Sequence, residues 1–191
     1  MSTTRLEAYS DAVIAIVITI MVLELRPPAG SDLTALKALI PTFLAYVVSF
    51  IYLSTYWNNH HHLMHVTERV NGAILWANIH LLFWLSLIPF TTAWLSNNPG
   101  EMVPSVLYGI NLFMAGLAYL ILRLALRTLH DEGSLFNSLT QSSGKETLST
   151  WLYLAGILVS LLGQVWVAYG IYAIVAFIWL IPDKRYEAVE Q

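Results

Sequence analysis

The stretch SDAVIAIVITIMVLEL (residues 10–25) is an apolar segment with an aspartate near its start, a threonine in its middle and a glutamate near its end. A cleaved signal peptide carries positive charge before its apolar run and small residues at a cleavage site after it. Here Arg26 and two prolines follow the run instead, which argues against cleavage. We therefore expect the segment to remain as the first helix, with Asp11 facing something other than lipid.

The composition indicates that lipid covers much of this protein. Of its 191 residues, 57% are hydrophobic and 11% are charged, whereas a soluble domain has about 25% charged residues. The net charge of −3 argues against a nucleic-acid partner. The chain has no cysteine, which excludes disulfides and cysteine-ligated zinc.

Apolar stretches long enough, or nearly long enough, to cross a bilayer recur along the chain, since a span needs about 20 residues at 1.5 Å each. Six of them are found, at residues 9–25, 33–57, 71–95, 102–127, 148–164 and 166–181. The last two meet around Gly163 and Gln164, which indicates either a helical hairpin or one interrupted segment. No linker is long enough to hold a second domain. The sequence thus predicts an all-α integral membrane protein with six transmembrane helices in one domain, residues 1–191.

The distribution of basic residues predicts the orientation, because cytoplasmic loops are enriched in lysine and arginine. With six spans, the side that holds both termini carries seven of them: Arg5, Arg69, Arg123, Arg127, Lys145, Lys184 and Arg185. The other side carries Arg26 and Lys37. Both termini are therefore predicted to be cytoplasmic.

The first helix has two different faces. At 100° per residue, with Ile16 at zero, Ile20 lies at about 40° and Leu23 at about 340°. Tyr9 falls on the same stripe at about 20°, and Thr19 borders it at about 300°. Ser10 and Asp11 lie at about 120° and 220°, away from the stripe. One face is thus a line of bulky aliphatic side chains, and another presents polar groups.

Both faces also have ordinary structural interpretations. The aliphatic stripe is typical of packing against another helix or lipid. Ser10 and Asp11 would also suit the start of a helix, as a cap and as an acid that complements the helix dipole. Arg5 is a candidate partner for Asp11, within the chain or across subunits. Spacing alone leaves these interpretations open.

The same residues carry a family resemblance. Residues 5–11, RLEAYSD, followed by Ala15-Ile16, Thr19 and Leu23, resemble the R-x-x-x-F-S-D signature and the A-I-x-x-T-x-x-x-L pattern of the TMEM175 family of potassium-permeable channels. Tyr9 departs from the pattern, in which phenylalanine is usual. Further similar segments are Trp57-Asn-Asn-His60-His61, Asn78, Pro89-Phe90-Thr91 and Ile178 to Pro182. A single unit per chain is similar to the prokaryotic members.

The resemblance implies a homotetramer in a prokaryotic cell membrane, with the bilayer and monovalent cations as partners and no cofactor. Four first helices would surround a pore whose constriction and gate are rings of Ile16, Ile20 and Leu23. Ile16 and Thr19 would set the preference for potassium over sodium. The remaining polar residues of the signature and its surroundings would form a bracing network outside the ion path: Arg5, Tyr9, Ser10, Asp11, His60, His61 and Asn78.

The histidines of HHHLMH (residues 60–65) raise a rival interpretation. His61 and His65 stand four apart, a spacing that puts two imidazoles on one helical face, and Glu68 follows as a possible third metal ligand. No acid lies between the histidines as in H-E-x-x-H, so we predict no metal site. His62 and His65 have no counterpart in the resemblance. The sequence predicts a channel and not an enzyme. The alternatives left open are a secondary or proton-coupled transporter that uses Asp11, Glu24 and the histidines, and a zinc-dependent intramembrane hydrolase.

Overall fold

In a computed structural model, residues 2–130, 136–137, 140 and 144–181 are described. Across these residues the regular structure is helical. The helices are α1 (Thr3–Leu23), α2 (Leu33–Lys37), α3 (Ile40–His65), α4 (Gly72–Ser86), α5 (Ile88–Asn97), α6 (Met102–Arg127), α7 (Gly144–Leu161) and α8 (Val165–Leu180). Pro182 of the last similar segment, and Lys184 and Arg185 of the predicted cytoplasmic end, lie outside the described residues.

Helix α1 begins well before the apolar run. Ser2 caps it, its hydroxyl accepting a hydrogen bond from the Arg5 amide at 3.4 Å. The interpretation of Ser10 as a helix cap and of Asp11 as a first-turn acid is therefore wrong, because both residues lie about two turns inside the helix. Hydropathy marks the part of a helix that contacts apolar surroundings. It does not mark where the backbone becomes helical, and the polar first turns of α1 contain no strong helix breaker.

The predicted span 33–57 is two helices with different limits. The short helix α2 is capped by Asp32, whose carboxylate accepts from the Ala35 amide at 2.8 Å. Helix α3 then begins at Ile40 and continues two turns past residue 57 to His65. The stretch around the histidines, which lies between two predicted spans, is helical because His60, Leu63 and Met64 are buried on one face of it. Packing outweighs the modest helix propensity of these residues.

The predicted span 71–95 breaks once, at Leu87, between α4 and α5. Pro89 follows the break and has no N–H to donate to the preceding turn. With its amide oriented to satisfy its neighbours, Asn111 of α6 donates to the Trp84 carbonyl (3.0 Å) and accepts from the Ile88 amide (3.3 Å). These are the two groups that an unbroken helix would join. Asn111 therefore stabilises the kink from outside.

The C-terminal part of the chain follows the prediction more closely. Helix α6 has the predicted limits of 102 and 127. Helices α7 and α8 form the predicted hairpin, although α7 starts four residues earlier than expected. Gly163 turns the chain with φ 81°, and the Gln164 amide bonds back to the Val159 carbonyl at 3.0 Å. A residue in the left-handed region after a helix is usually glycine for this reason.

Close packing joins the hairpin to α6. The ring of Tyr172 on α8 lies against Gly109 of α6 and Gly156 of α7, where an added Cβ would come within 2.1 Å and 2.4 Å of it. The Tyr52 hydroxyl of α3 donates to the Tyr172 carbonyl at 2.6 Å. Small residues at such contacts let membrane helices approach closely. Gly109 and Gly156 therefore let α8 pack closely against α6 and α7.

Several helices are long and apolar enough to cross a membrane. Among the described residues four segments meet both conditions: Thr3–Leu23, Ile40–His65, Gly72–Asn97 and Met102–Arg127. Helix α8 is apolar but has 16 residues. The protein is thus an all-α, multi-pass membrane protein, and the count of six spans stays a prediction.

The exposed face of the first helix and its polar anchor

The aliphatic stripe of α1 is not covered by the other described residues of the chain. Its four large side chains are exposed: Tyr9 (51%), Ile16 (57%), Ile20 (46%) and Leu23 (74%). The opposite face is in the core, with Ile14, Val17 and Met21 buried against α3 and α4. An exposed row of this kind on a helix that is otherwise packed must meet lipid or another polypeptide chain.

Thr19 borders the stripe and is also exposed. Its hydroxyl donates to the Ile16 carbonyl at 2.8 Å. Because its single proton is used in this bond, the oxygen offers only lone pairs to whatever lies beside the stripe. The geometry places an oxygen acceptor within one helical turn of Ile16.

Polar contacts hold the other side of α1 to α3. The Trp57 indole N–H donates to Asp11 Oδ1 at 3.0 Å. One turn away, His61 Nδ1 lies 2.9 Å from Glu7 Oε1. The Trp57 and His61 rings stack at a centroid distance of 6.0 Å, so the two contacts form one unit.

A third contact is fully buried and joins α1, α3 and α4. The Asn78 amide donates to Ser10 Oγ at 2.9 Å, and its Oδ1 lies 2.8 Å from His60 Nε2. Ser10 in turn donates to the Leu6 carbonyl, so its oxygen must accept from Asn78. The Asn78 oxygen then faces His60, which assigns a proton to Nε2. All three side chains have no exposed surface.

The structure brings together five of the seven predicted network residues: Ser10, Asp11, His60, His61 and Asn78. Arg5 and Tyr9 are exposed, and within the described part of this chain their side chains make no hydrogen bond with the rest of the network. Asp11 therefore has Trp57, and not Arg5, as its partner inside one subunit. At about 340° and 20°, Arg5 and Tyr9 lie on the aliphatic stripe.

Sequence reasoning missed Glu7, although the signal was present. Glu7, Ser10 and Asp11 follow a spacing of three and four, which places all three side chains on one helical face. Glu7 projects at about 180°, midway between the other two. Trp57 was noted only for its resemblance to a motif, because nothing local in a sequence shows which acid an indole contacts.

We call the contacts of Glu7, Ser10 and Asp11 with α3 and α4 the polar anchor. The histidine cluster is part of it. His61 contacts Glu7 and Trp57, and His65 packs one turn along at a ring distance of 6.2 Å. Among the residues that the structure describes, no three histidine, aspartate or glutamate side chains are arranged to hold a metal ion. In the structure, His61 links α3 to α1 through Glu7.

Comparisons with known proteins identify the family. A family profile described as "Endosomal/lysosomal potassium channel TMEM175" matches residues 5–89, the part that contains the stripe and its anchor. A potassium channel of Chryseobacterium sp. (strain P1-3) is 49% identical over 187 residues, which cover 98% of this chain and 97% of that relative. The chain belongs to the TMEM175 family.

Structural similarity extends over nearly the whole of this TMEM175-family chain. The crystal structure of a lysosomal potassium-selective channel TMEM175 homolog from Chamaesiphon minutus superposes with a TM-score of 0.81 at 27% identity. The match covers 93% of this chain and 96% of that one. An endosomal/lysosomal proton channel TMEM175 from Danio rerio is 28% identical over 121 residues, 61% of this chain and 23% of that relative.

Proposed function

We propose that this protein is a potassium-permeable, potassium-preferring cation channel that conducts passively through a central pore. The observation that carries the proposal is the uncovered aliphatic stripe on α1, on a helix whose opposite side is fixed by three polar contacts. Family membership supplies the kind of ion, since the similar bacterial proteins are potassium channels.

The pore requires several copies of the chain, and we propose a homotetramer. A single stripe of exposed isoleucine and leucine side chains cannot enclose an ion path. Four copies with cyclic symmetry would bring the stripes together on one axis and cover them. Arg5 and Tyr9 lie on the same stripe, so their partners would come from neighbouring subunits.

Rings of aliphatic side chains would form the constriction and the gate. Ile16, Ile20 and Leu23 would give three rings over about 10 Å of the axis at 1.5 Å per residue. A narrow apolar neck excludes water and therefore ions until it widens. The gate would be closed by dewetting, with no charged group at the level of the three rings.

Preference for potassium would arise beside the first ring. The Thr19 oxygen presents lone pairs to the same space as Ile16, and the narrow neck forces ions to lose water there. Potassium loses water at a lower free-energy cost than sodium. A threonine acceptor next to an apolar ring would therefore favour potassium without a ring of backbone carbonyls.

The same reasoning extends to the surroundings of the channel. We propose the cytoplasmic (inner) membrane of a prokaryotic cell, with both termini in the cytoplasm and no catalytic role. The basic residues at the ends of α6 and at the start of α7 support this orientation. The permeant monovalent cations would be the only ligands of the pore.

Flux and mass measurements on the same preparation test the proposal. The purified protein is measured by native mass spectrometry and reconstituted into liposomes with a potassium or a sodium gradient. A tetramer with potassium flux above sodium flux is expected. Flux that occurs only when substrate is present on both sides would favour a transporter. Stoichiometric zinc whose removal abolishes a hydrolytic activity would favour the hydrolase.

A further inference from the structure

A second feature of the chain lies away from α1, in a cavity between α3, α6, α7 and α8. It is bounded by the C-terminal halves of α3 and α6, the start of α7 and the last turn of α8. Its volume is about 120 Å³. An engineered cavity of about 150 Å³ in another protein takes up benzene. The space is smaller than that cavity and therefore suits a compact ligand of about the size of benzene.

Aromatic rings make up a large part of the wall. Six surround the cavity: Tyr52, Tyr56, Phe113, Tyr119, Tyr153 and Trp179. Tyr52 faces Tyr153 at a ring distance of 6.2 Å, and Tyr56 meets Tyr119 edge to face at the same distance. The faces of tyrosine and tryptophan rings carry negative electrostatic potential, which attracts cations.

One carboxylate stands at the edge of the same cavity. Glu146 is the one charged side chain in the lining formed by the described residues, and its neighbours there are neutral. Its carboxylate pairs with Arg123, which is 3% exposed and does not line the cavity. The carboxylate is therefore the charged group that lines the cavity, and its Arg123 partner is outside the lining.

Hydroxyl and amide groups complete the wall on the side of Glu146. Ser149 and Thr150 follow it on α7, and Asn59 faces them from α3. A quaternary ammonium ion is larger than potassium and its methyl groups do not hydrogen-bond to water, so it loses less hydration free energy than potassium on entering such a space.

We propose that this cavity binds one small organic cation of the quaternary ammonium class per chain. The ammonium group lies against the tyrosine faces with the Glu146 carboxylate at its edge, and a polar tail meets the hydroxyl groups of α7. The site is separate from the exposed stripe of α1 and does not depend on the proposed pore.

Choline is the probe, because it has seven heavy atoms and an uncharged isostere. The purified full-length protein, in maltoside and without phosphatidylcholine, is equilibrated with radiolabelled choline. Saturable binding of one choline per chain is expected, displaced by tetramethylammonium. The isostere 3,3-dimethylbutan-1-ol is expected to compete at least tenfold less well. Equal competition by the isostere would overturn the proposal and indicate an apolar compartment for hydrocarbon. Absence of saturable binding would also overturn it.

A pair of glycines locates the site. A Cβ at Gly116 would contact Tyr56 Oη at 3.6 Å and Tyr153 at 3.7 Å, so a side chain there enters the cavity without a backbone clash. Gly170 on α8 has open space around it. Gly116→Leu is expected to weaken choline binding at least tenfold and to leave potassium flux unchanged, and Gly170→Leu to change neither.

Two further variants keep the result interpretable. If Gly116→Leu does not fold, Gly116→Ala adds one methyl group at ordinary contact distance and should weaken binding about threefold. Glu146→Gln keeps the shape of the carboxylate, removes its charge and should weaken choline binding more than binding of the neutral isostere. Choline binding that is unchanged in every Gly116 variant would place the cation elsewhere, for example on the symmetry axis, and would refute the proposal.

Discussion

Replacing Ile16 with asparagine is expected to raise resting cation flux and to weaken the preference for potassium. Full burial of an isoleucine side chain is worth about 1.5–3 kcal/mol. Ile16 is 57% exposed in one chain. If about half of that surface meets neighbouring rings in a tetramer, the surface left facing the axis corresponds to about 0.4–0.9 kcal/mol per subunit.

Four subunits then give about 2–3.5 kcal/mol as the cost of wetting this ring. A change of 1.4 kcal/mol is tenfold in a rate, so removal of one ring of three should raise flux by at least about tenfold. The assay is potassium and sodium flux in liposomes, normalised to reconstituted tetramer. Thermal stability of the detergent-solubilised protein is measured in parallel.

The choice of control follows from burial. Ile14 points about 160° away from the stripe, but it has no exposed surface, so Ile14→Asn tests folding and not the pore. Val22 is 45% exposed on the same helix and lies about 120° from Ile16, which makes Val22→Asn the matched control. Unchanged flux and selectivity in Ile16→Asn, with a normal yield of tetramer, would refute the assignment of the gate. An equal increase in Val22→Asn would refute the assignment of the face.

Three other predictions concern single side chains. Thr19→Val removes the oxygen acceptor but keeps the shape, so the potassium-to-sodium flux ratio should fall while total flux is retained; an unchanged ratio would leave Thr19 with only a structural role. Ser10→Ala leaves the buried Asn78 amide without an acceptor and should destabilise the folded chain by about 1–3 kcal/mol, measured as a lower melting temperature and tetramer yield with selectivity preserved. Gly109→Ala would bring a Cβ within 2.1 Å of the Tyr172 hydroxyl and should lower stability by about 1–3 kcal/mol, whereas Gly116→Ala should not, which a melting curve distinguishes.

The sequence allows the fold class and most helices to be predicted, because long apolar runs and breakers reflect local constraints. Helix α6 shows this best, with both limits as expected. The predicted helix limits are wrong where contacts between helices determine whether the backbone is helical. The last two turns of α3 are helical because His60 reaches Asn78 on another helix, and the kink at Leu87 is completed by Asn111. Neither partner can be found from residues nearby in the chain.

The candidate site divides in the same way. Helical spacing was enough to place Ile16, Ile20 and Leu23 on one face and Asp11 on another, since both follow from 3.6 residues per turn. Partners across helices were not predictable. Arg5 was a candidate partner for Asp11 because the two are close in sequence. In the structure the partner of Asp11 is the indole N–H of Trp57, which is 46 residues away in the chain. Complementary groups on separate helices have no fixed spacing.

The polar anchor explains how the aliphatic stripe of α1 could be kept directed toward the axis of the proposed tetramer. An exposed isoleucine side chain is stabilised about equally by lipid tails and by the apolar side chains of a closed gate. Hydrophobicity alone therefore does not decide whether a given face of α1 is directed toward lipid or toward the proposed pore axis. A slip by one residue turns the helix by about 100° and would carry Ile16 off the axis. Glu7, Ser10 and Asp11 bind α3 and α4 at three points, and all three contacts would have to exchange partners for such a slip. The anchor ends about 7.5 Å before Ile16 along the helix, since Ile16 is the fifth residue after Asp11. Polar contacts thus fix the rotation of α1 at a level other than that of Ile16, Ile20 and Leu23, and the three proposed rings need no charged side chain of their own.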